Sequence, residues 1–328
     1  MSTRRDSTGS YLVGLGVLTL TIFVVLAVTT PNFLSVANLN SMGSQFPEFG
    51  LLALAVLPTM ISGGIDLSVV AIANLASIVA ALLLRAGPEF AWLAIPAGLL
   101  TGLACGVLNG CLIAYLRLPP ILATLGTLQL FSGIGIVITR GPAITGVPAW
   151  YGAWGNWSIG GAIPMPLVVF TVAALALGML LRFTATGMRA RLFGANATAA
   201  RFAGIGEKSL IIRVYAIAGL IASIAGLVIL ARVNSANADY GGSYLLLVIL
   251  INILAGVSPF GGFGSTVGVV LAVITLQLIS SGLNFLAFSA FARDLFFGGL
   301  LIIVMSLRAL MEGGLGRLRP RFRKASIR

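Results

Sequence analysis

Long apolar stretches, one after another, run from Tyr11 to Leu307 and are parted only by short polar breaks. They occupy 11–30, 46–62, 66–86, 90–116, 120–139, 164–182, 209–232, 243–257, 264–283 and 291–308. A helix needs about 20 apolar residues to cross the hydrocarbon core of a bilayer, and most of these stretches come close to that length. The sequence therefore predicts an all-α, polytopic integral membrane protein with about ten transmembrane helices in a single domain over 1–328. The stretch 243–257 is short, and residues 63–65 break the apolar run; a re-entrant segment at either place changes the count.

Composition supports this. The chain is 59% hydrophobic and 9% charged, whereas soluble proteins carry about 25% charged residues. A net charge of +12 does not signal nucleic-acid binding, because the basic residues sit at Arg4/Arg5, between Arg182 and Arg213, and from Arg308 to Arg328. These are chain ends and gaps between spans. With the N-terminus inside, Arg117, Arg182, Arg189, Arg191, Arg201, Lys208, Arg213 and the tail all fall inside. Only Arg85, Arg140, Arg232 and Arg293 fall outside. Basic residues favour the cytoplasmic side, so both ends are expected inside, with 1–10 and the basic tail 309–328 cytoplasmic and the tail against lipid headgroups. The first run follows a basic start but has no small-residue cleavage site, so it reads as a retained helix.

The sequence carries little catalytic chemistry. It has no histidine, no Walker A loop, no G-x-S-x-G and no H-E-x-x-H. Cys105 and Cys111 lie in one apolar run and read as packing residues. No metal or cofactor motif is present. Glu48, Asp66 and Asp294 are the carboxylates in or near spans, and Asp294 is expected to pair with its neighbour Arg293. A self-powered carrier usually shows more intramembrane acids, so the energy is expected from another subunit.

Asp66 lies in "ISGGIDLSVV" (61–70). A charge within the bilayer costs about 2.5–3.5 kcal/mol on insertion scales. Gly63 and Gly64 end one helix, and Asp66, Leu67 and Ser68 start the next. Asp66 then either caps free N–H groups at the break or borders a solute path, where broken helices are tolerated. Asn109 either faces such a path or joins helices through a hydrogen bond. The Trp-rich loop 140–163 forms an interfacial aromatic belt or contacts a sugar or a delivery protein.

Four motifs together resemble the permease subunits of bacterial ABC importers for simple sugars: "SGGIDLSV" (62–69), "GVLNGCLIAYLRLPPILATLGTLQLFSG" (106–133), "GANATAARFAGI" (194–205) and "AGVSPFGGFGSTVG" (255–268). The resemblance covers nearly the whole chain. Val70 and Ala71 stand where the family usually has Gly-Ser, and no acid precedes the fourth motif, which is closer to the rhamnose, polyol and autoinducer branch. The resemblance implies a bacterial inner-membrane permease without its own ATPase site. Its implied partners are cytoplasmic ATP-binding subunits, a periplasmic solute-binding protein and a second permease subunit. It also implies that the inside loop docks on the ATPase. There the stretch from Asn196 to Ile205 can form a short amphipathic helix with Ala199, Phe202 and Ala203 on one side and Arg201 and Asn196 elsewhere, and Gly204 ends the turn; the alternative is a plain basic loop facing lipid. Gly194, Asn196, Ala199, Ala200, Arg201, Gly204 and Ile205 are the candidate coupling residues. Gly63, Gly64, Asp66, Ser68 and Asn109 are the candidate path or helix-break residues. A stand-alone secondary carrier or channel is the rival reading.

Overall fold

The computed structural model describes residues 2–313; the end of the basic tail lies outside the described residues. Helices α1 (Ser2–Thr29), α2 (Val36–Ile61), α3 (Val69–Ala86), α4 (Ala91–Leu116) and α5 (Pro120–Thr139) come first. Next come strand β1 (Ile144–Thr145), helix α6 (Ala149–Asn156), and strands β2 (Ser158–Ile159) and β3 (Ile163–Pro164). Helices α7 (Met165–Phe183), α8 (Ala185–Ala195), α9 (Ala197–Phe202) and α10 (Glu207–Val233) follow. Strand β4 (Ser235–Ala236), α11 (Tyr244–Leu254), α12 (Thr266–Phe285) and α13 (Ala290–Gly313) complete the chain.

Among the described residues, eight helices are long and apolar enough to cross a membrane: α1, α2, α3, α4, α5, α7, α10 and α12. Each of the ten sequence stretches corresponds to a helix, with shifted limits. Helix α2 begins ten residues before its apolar stretch, at Val36. Helix α11 has eleven residues, about 17 Å at 1.5 Å per residue, too short for a core of about 30 Å. The non-helical turn after it extends its reach. Tyr244 Oη donates to Glu48 (3.3 Å), while Gly262 N–H donates to Ile61 O (2.8 Å). Residues 244–262 thus run along α2 between those two levels.

Helix α10 packs against α2, α3, α4 and α6. Its contact with α4 is made backbone to backbone. Gly98, Gly102, Gly106 and Gly110 recur every fourth residue and so share one face of α4. A Cβ at Gly106 would collide with the Tyr215 carbonyl, one at Gly102 with the Gly219 carbonyl, and one at Gly110 would come within 2.6 Å of Ile212 Cα. On another side of α10, Gly226 lies against the Ala73 carbonyl of α3. By contrast Leu122, Leu130 and Val137 of α5 are exposed, as expected for a surface that meets lipid.

At one end of the bundle Glu48, 1% exposed, pairs with Arg232 of α10. Tyr240 (3.2 Å) and Tyr244 (3.3 Å) also donate to its carboxylate. Asn74 of α3 donates to the carbonyls of Ala238 and Tyr240 (2.9 Å each), and β4 pairs with β1. The loop after α10 is therefore held by α2, α3 and strand β1. Burial is the first cause of a Tyr240 phenol pKa above its ordinary value, with the Glu48 charge adding to it. Arg232→Leu leaves the carboxylate buried without its partner and should cost about 3 kcal/mol, read as a lower melting temperature. Adding Glu48→Gln removes the charge but keeps an acceptor for the tyrosines, and should recover most of the loss. A double variant no more stable than the single would contradict this account of the pair.

Helix α6 divides the Trp-rich loop into anchored and exposed aromatics. Tyr151 is buried and donates to Leu227 O (3.0 Å), and Trp154 packs against the core. Trp150 and Trp157 are exposed. Arg293 does not pair with its neighbour as expected; its guanidinium donates to Asn284 Oδ1 (2.7 Å), because consecutive helical residues point in different directions.

Candidate functional site

Three sequence motifs that are far apart in the chain meet at the end of the bundle opposite Glu48. Helix α2 ends at Ile61, and Gly63 continues the chain at φ +89°. The turn between α11 and α12 passes through Gly261 (φ +94°) and Gly262 (φ +84°). These are left-handed conformations that glycine adopts without strain. Gly194, near the end of α8, lies between the two segments. A Cβ there would collide with Ile61 O and come within 2.6 Å of Gly262 N. One at Gly261 would lie 2.8 Å from both Gly63 Cα and Gly194 Cα. The Gly262 N–H to Ile61 O bond closes this knot of backbone. Arg191 of α8 reinforces it by donating to Gly264 O (2.8 Å), and burial lowers the Arg191 guanidinium pKa.

Helix α9 grows directly out of the knot. Asn196 is its N-cap and accepts from Ala199 N (2.9 Å), as a capping amide should. Gly204, at φ +77°, ends the turn. Its N–H reaches Arg201 O (2.9 Å), and Ile205 N–H reaches Ala200 O (3.1 Å). Ala200 is buried, but Phe202 is 90% exposed. Arg201 holds Glu207 of α10 through two hydrogen bonds (2.7 and 3.0 Å), and these raise the Arg201 pKa. The short helix and its glycine exit thus match the sequence reading.

Asp66 differs from its reading as the helix cap. Helix α3 starts at Val69, and Ser68 takes the N-cap position. Asp66 stands two residues earlier, fully buried, and its Oδ1 accepts from Ser68 N (2.9 Å) and Ser68 Oγ (2.6 Å). It therefore closes a turn ahead of the helix. Asn109 of α4 donates to the same Ser68 hydroxyl (2.8 Å), and Thr124 of α5 reaches Ile65 O (3.1 Å). The break is thus stitched to two neighbouring helices. Asn109 acts here as a link between α4 and the break.

Beside the break is a cleft of about 550 Å³. Gly63, Gly64, Arg117, Arg201, Lys208 and Tyr215 are among its lining residues. The candidate break residues and the candidate coupling residues therefore belong to one region. The sequence reading kept them apart. It also missed Arg191 and Tyr215, for which it offered no local signal.

Comparison with known proteins gives the following. The family model described as "Branched-chain amino acid transport system / permease component" matches residues 38–305. The ribose import permease protein RbsC of Bacillus subtilis (strain 168) is 35% identical over 286 residues, covering 87% of this chain and 88% of its own. The autoinducer 2 import system permease protein LsrD of Yersinia enterocolitica is 32% identical over 273 residues, covering 81% and 82%. LsrD of Klebsiella pneumoniae is 32% identical over 287 residues, covering 85% and 86%. No solved structure matches.

Proposed function

Since the chain belongs to the family of branched-chain amino acid transport system permease components, we propose that it carries a small hydroxylated solute, a simple sugar or an autoinducer-2-like molecule, across the bacterial inner membrane. The names of its relatives support that solute class. The chain is a multi-pass membrane permease of an ABC importer. In the proposed assembly two permease subunits receive solute from a periplasmic binding protein and are driven by two cytoplasmic ATPase subunits. The chain crosses ten times, α11 with its turn supplying one crossing, and both ends are cytoplasmic.

The knot carries the mechanistic part of this proposal. Gly194 touches the end of α2 and the turn before α12 without an intervening side chain. A push on α9 therefore reaches two core segments through backbone, which is stiff, rather than through rotatable side chains. The exposed Phe202 and the fixed Arg201 are the surface that meets the ATPase. Asp66, Ser68 and Asn109 tie the moving end to α3 and α4. ATP-driven closure of the ATPase pair then tilts the α2 and α12 ends together and alternates access to a central path between permeases.

One experiment tests both sidedness and docking. Phe202→Cys and Trp157→Cys are placed in a background with Cys105→Ala and Cys111→Ala. A membrane-impermeant thiol reagent on intact cells should label position 157 and spare position 202. In opened vesicles position 202 should be labelled, and bound ATPase subunits should block the labelling. Labelling of position 202 in intact cells, or labelling indifferent to the ATPase, would overturn the proposal.

A further inference from the structure

The cleft beside the helix break has the chemistry of an anion site. Three cationic side chains, Arg117, Arg201 and Lys208, line it against one carboxylate, Glu207, and that carboxylate is already occupied by Arg201. Lys208 is held over the Tyr115 ring at 4.7 Å. Arg117 projects from the left-handed end of α4 (φ 55°).

Two helix N-termini open on the same cleft. Helix α5 begins there, with Pro119 as N-cap and Pro120 as first residue, both in the lining. Helix α10 begins there too, with Gly206 as N-cap and Glu207 and Lys208 in the lining. Neither has a side-chain cap. The free N–H groups of a helix's first turn and its dipole favour an anion. The helices have 20 and 27 residues.

A third observation is independent of charge. Tyr215 lines the cleft and is 1% exposed, yet its hydroxyl has no hydrogen-bond partner. A buried hydroxyl without a partner is costly. It lies at the first turn of α5: a Cβ at Gly64 would come 2.5 Å from Tyr215 Oη and 3.1 Å from Pro120 Cβ. The volume, about 550 Å³, falls in the range of small-molecule sites, about 300–1,000 Å³.

We propose that this cleft binds a phosphate group, carried by a soluble phosphorylated metabolite or by the headgroup of an anionic lipid. Arg117 and Lys208 supply charge, the first turn of α10 supplies N–H donors, α5 adds only the positive end of its dipole because its lining residues Pro119 and Pro120 carry no N–H, and the Tyr215 hydroxyl supplies a neutral donor. A bound phosphate bridges the α4–α5 turn and the start of α10.

The purified full chain in phosphatidylcholine nanodiscs is titrated with inorganic phosphate and with glucose 6-phosphate at constant ionic strength, and the melting temperature is followed. Binding raises it in a saturable way. Arg117→Gln and Lys208→Gln should each weaken affinity about tenfold, the worth of a hydrogen bond to a charged group. Tyr215→Phe should weaken it without any change of charge, which separates a built site from diffuse attraction. In a second arm phosphatidylglycerol replaces part of the lipid. Stabilisation by that lipid alone, lost in the Arg117→Gln/Lys208→Gln variant, assigns the phosphate to a headgroup; stabilisation by the soluble probes assigns it to a metabolite. No stabilisation in either arm, or equal stabilisation of the wild type and the double variant, overturns the proposal.

Discussion

Gly194→Ala is expected to cut ATP-driven transport by about 5- to 150-fold, the range that corresponds to 1–3 kcal/mol of overpacking, while the protein stays in the membrane at its usual level. The added methyl group has nowhere to go. It meets Ile61 O and Gly262 N, which are backbone atoms and cannot rotate away, and which themselves form the bond that closes the knot. The loop can accept the methyl only by moving off the end of α2. The clash is confined to the last residue of α2 and the turn before α12, so insertion and folding should proceed. Gly206→Ala is the control: Gly206 has an ordinary φ of −68° and open space around its Cα. Transport and partner ATPase stimulation should both fail in Gly194→Ala and both survive in Gly206→Ala. A fully coupled Gly194→Ala protein would show that the knot does not transmit motion.

Gly106→Leu should have a larger effect of a different kind, with no folded protein recovered. The position faces the Tyr215 carbonyl of α10, so the side chain must force two helices apart along a seam where Gly102, Gly106 and Gly110 keep the main chains close. Overpacking a rigid contact costs about 1–3 kcal/mol and occasionally more. Here the obstacle is main chain and the inserted group is four carbons, so the upper end is expected. Gly126→Leu and Gly133→Leu, on α5, add the same bulk where nothing lies within 4 Å, and should leave yield and melting temperature unchanged. Normal yield of Gly106→Leu, measured by size-exclusion of detergent-solubilised protein, would refute the seam.

Much of this architecture could be read from the sequence, because each span is a local property. Membrane helices are written as apolar runs, and the short helix after Gly194 as a run of small residues ended by Gly204. The period of four in Gly98, Gly102, Gly106 and Gly110 is equally visible in the sequence, but it does not say which helix those glycines meet. Other features had no local trace. Glu48 and Arg232 are 184 positions apart, and nothing around either residue names the other. The three glycine-bearing motifs lie far apart in the sequence, yet they form one knot, because the close approach of backbones depends on how the helices pack. Asp66 was displaced from the cap position for a simpler reason. An aspartate that accepts from the N–H two residues on, as Asp66 does from Ser68, leaves the same local sequence pattern whether the helix starts beside it or three residues later at Val69.

Reconstitution into vesicles separates a driven permease from a carrier that works alone. The chain is assembled with its ATPase and binding-protein partners, and uptake of labelled ribose and autoinducer-2 is measured with and without ATP. The same measurement is made on the chain alone under an imposed sodium or proton gradient. The result expected is uptake of a solute only by the full assembly and only with ATP, and none by the chain alone under either gradient. Gradient-driven uptake by the purified chain without partners would contradict the permease account.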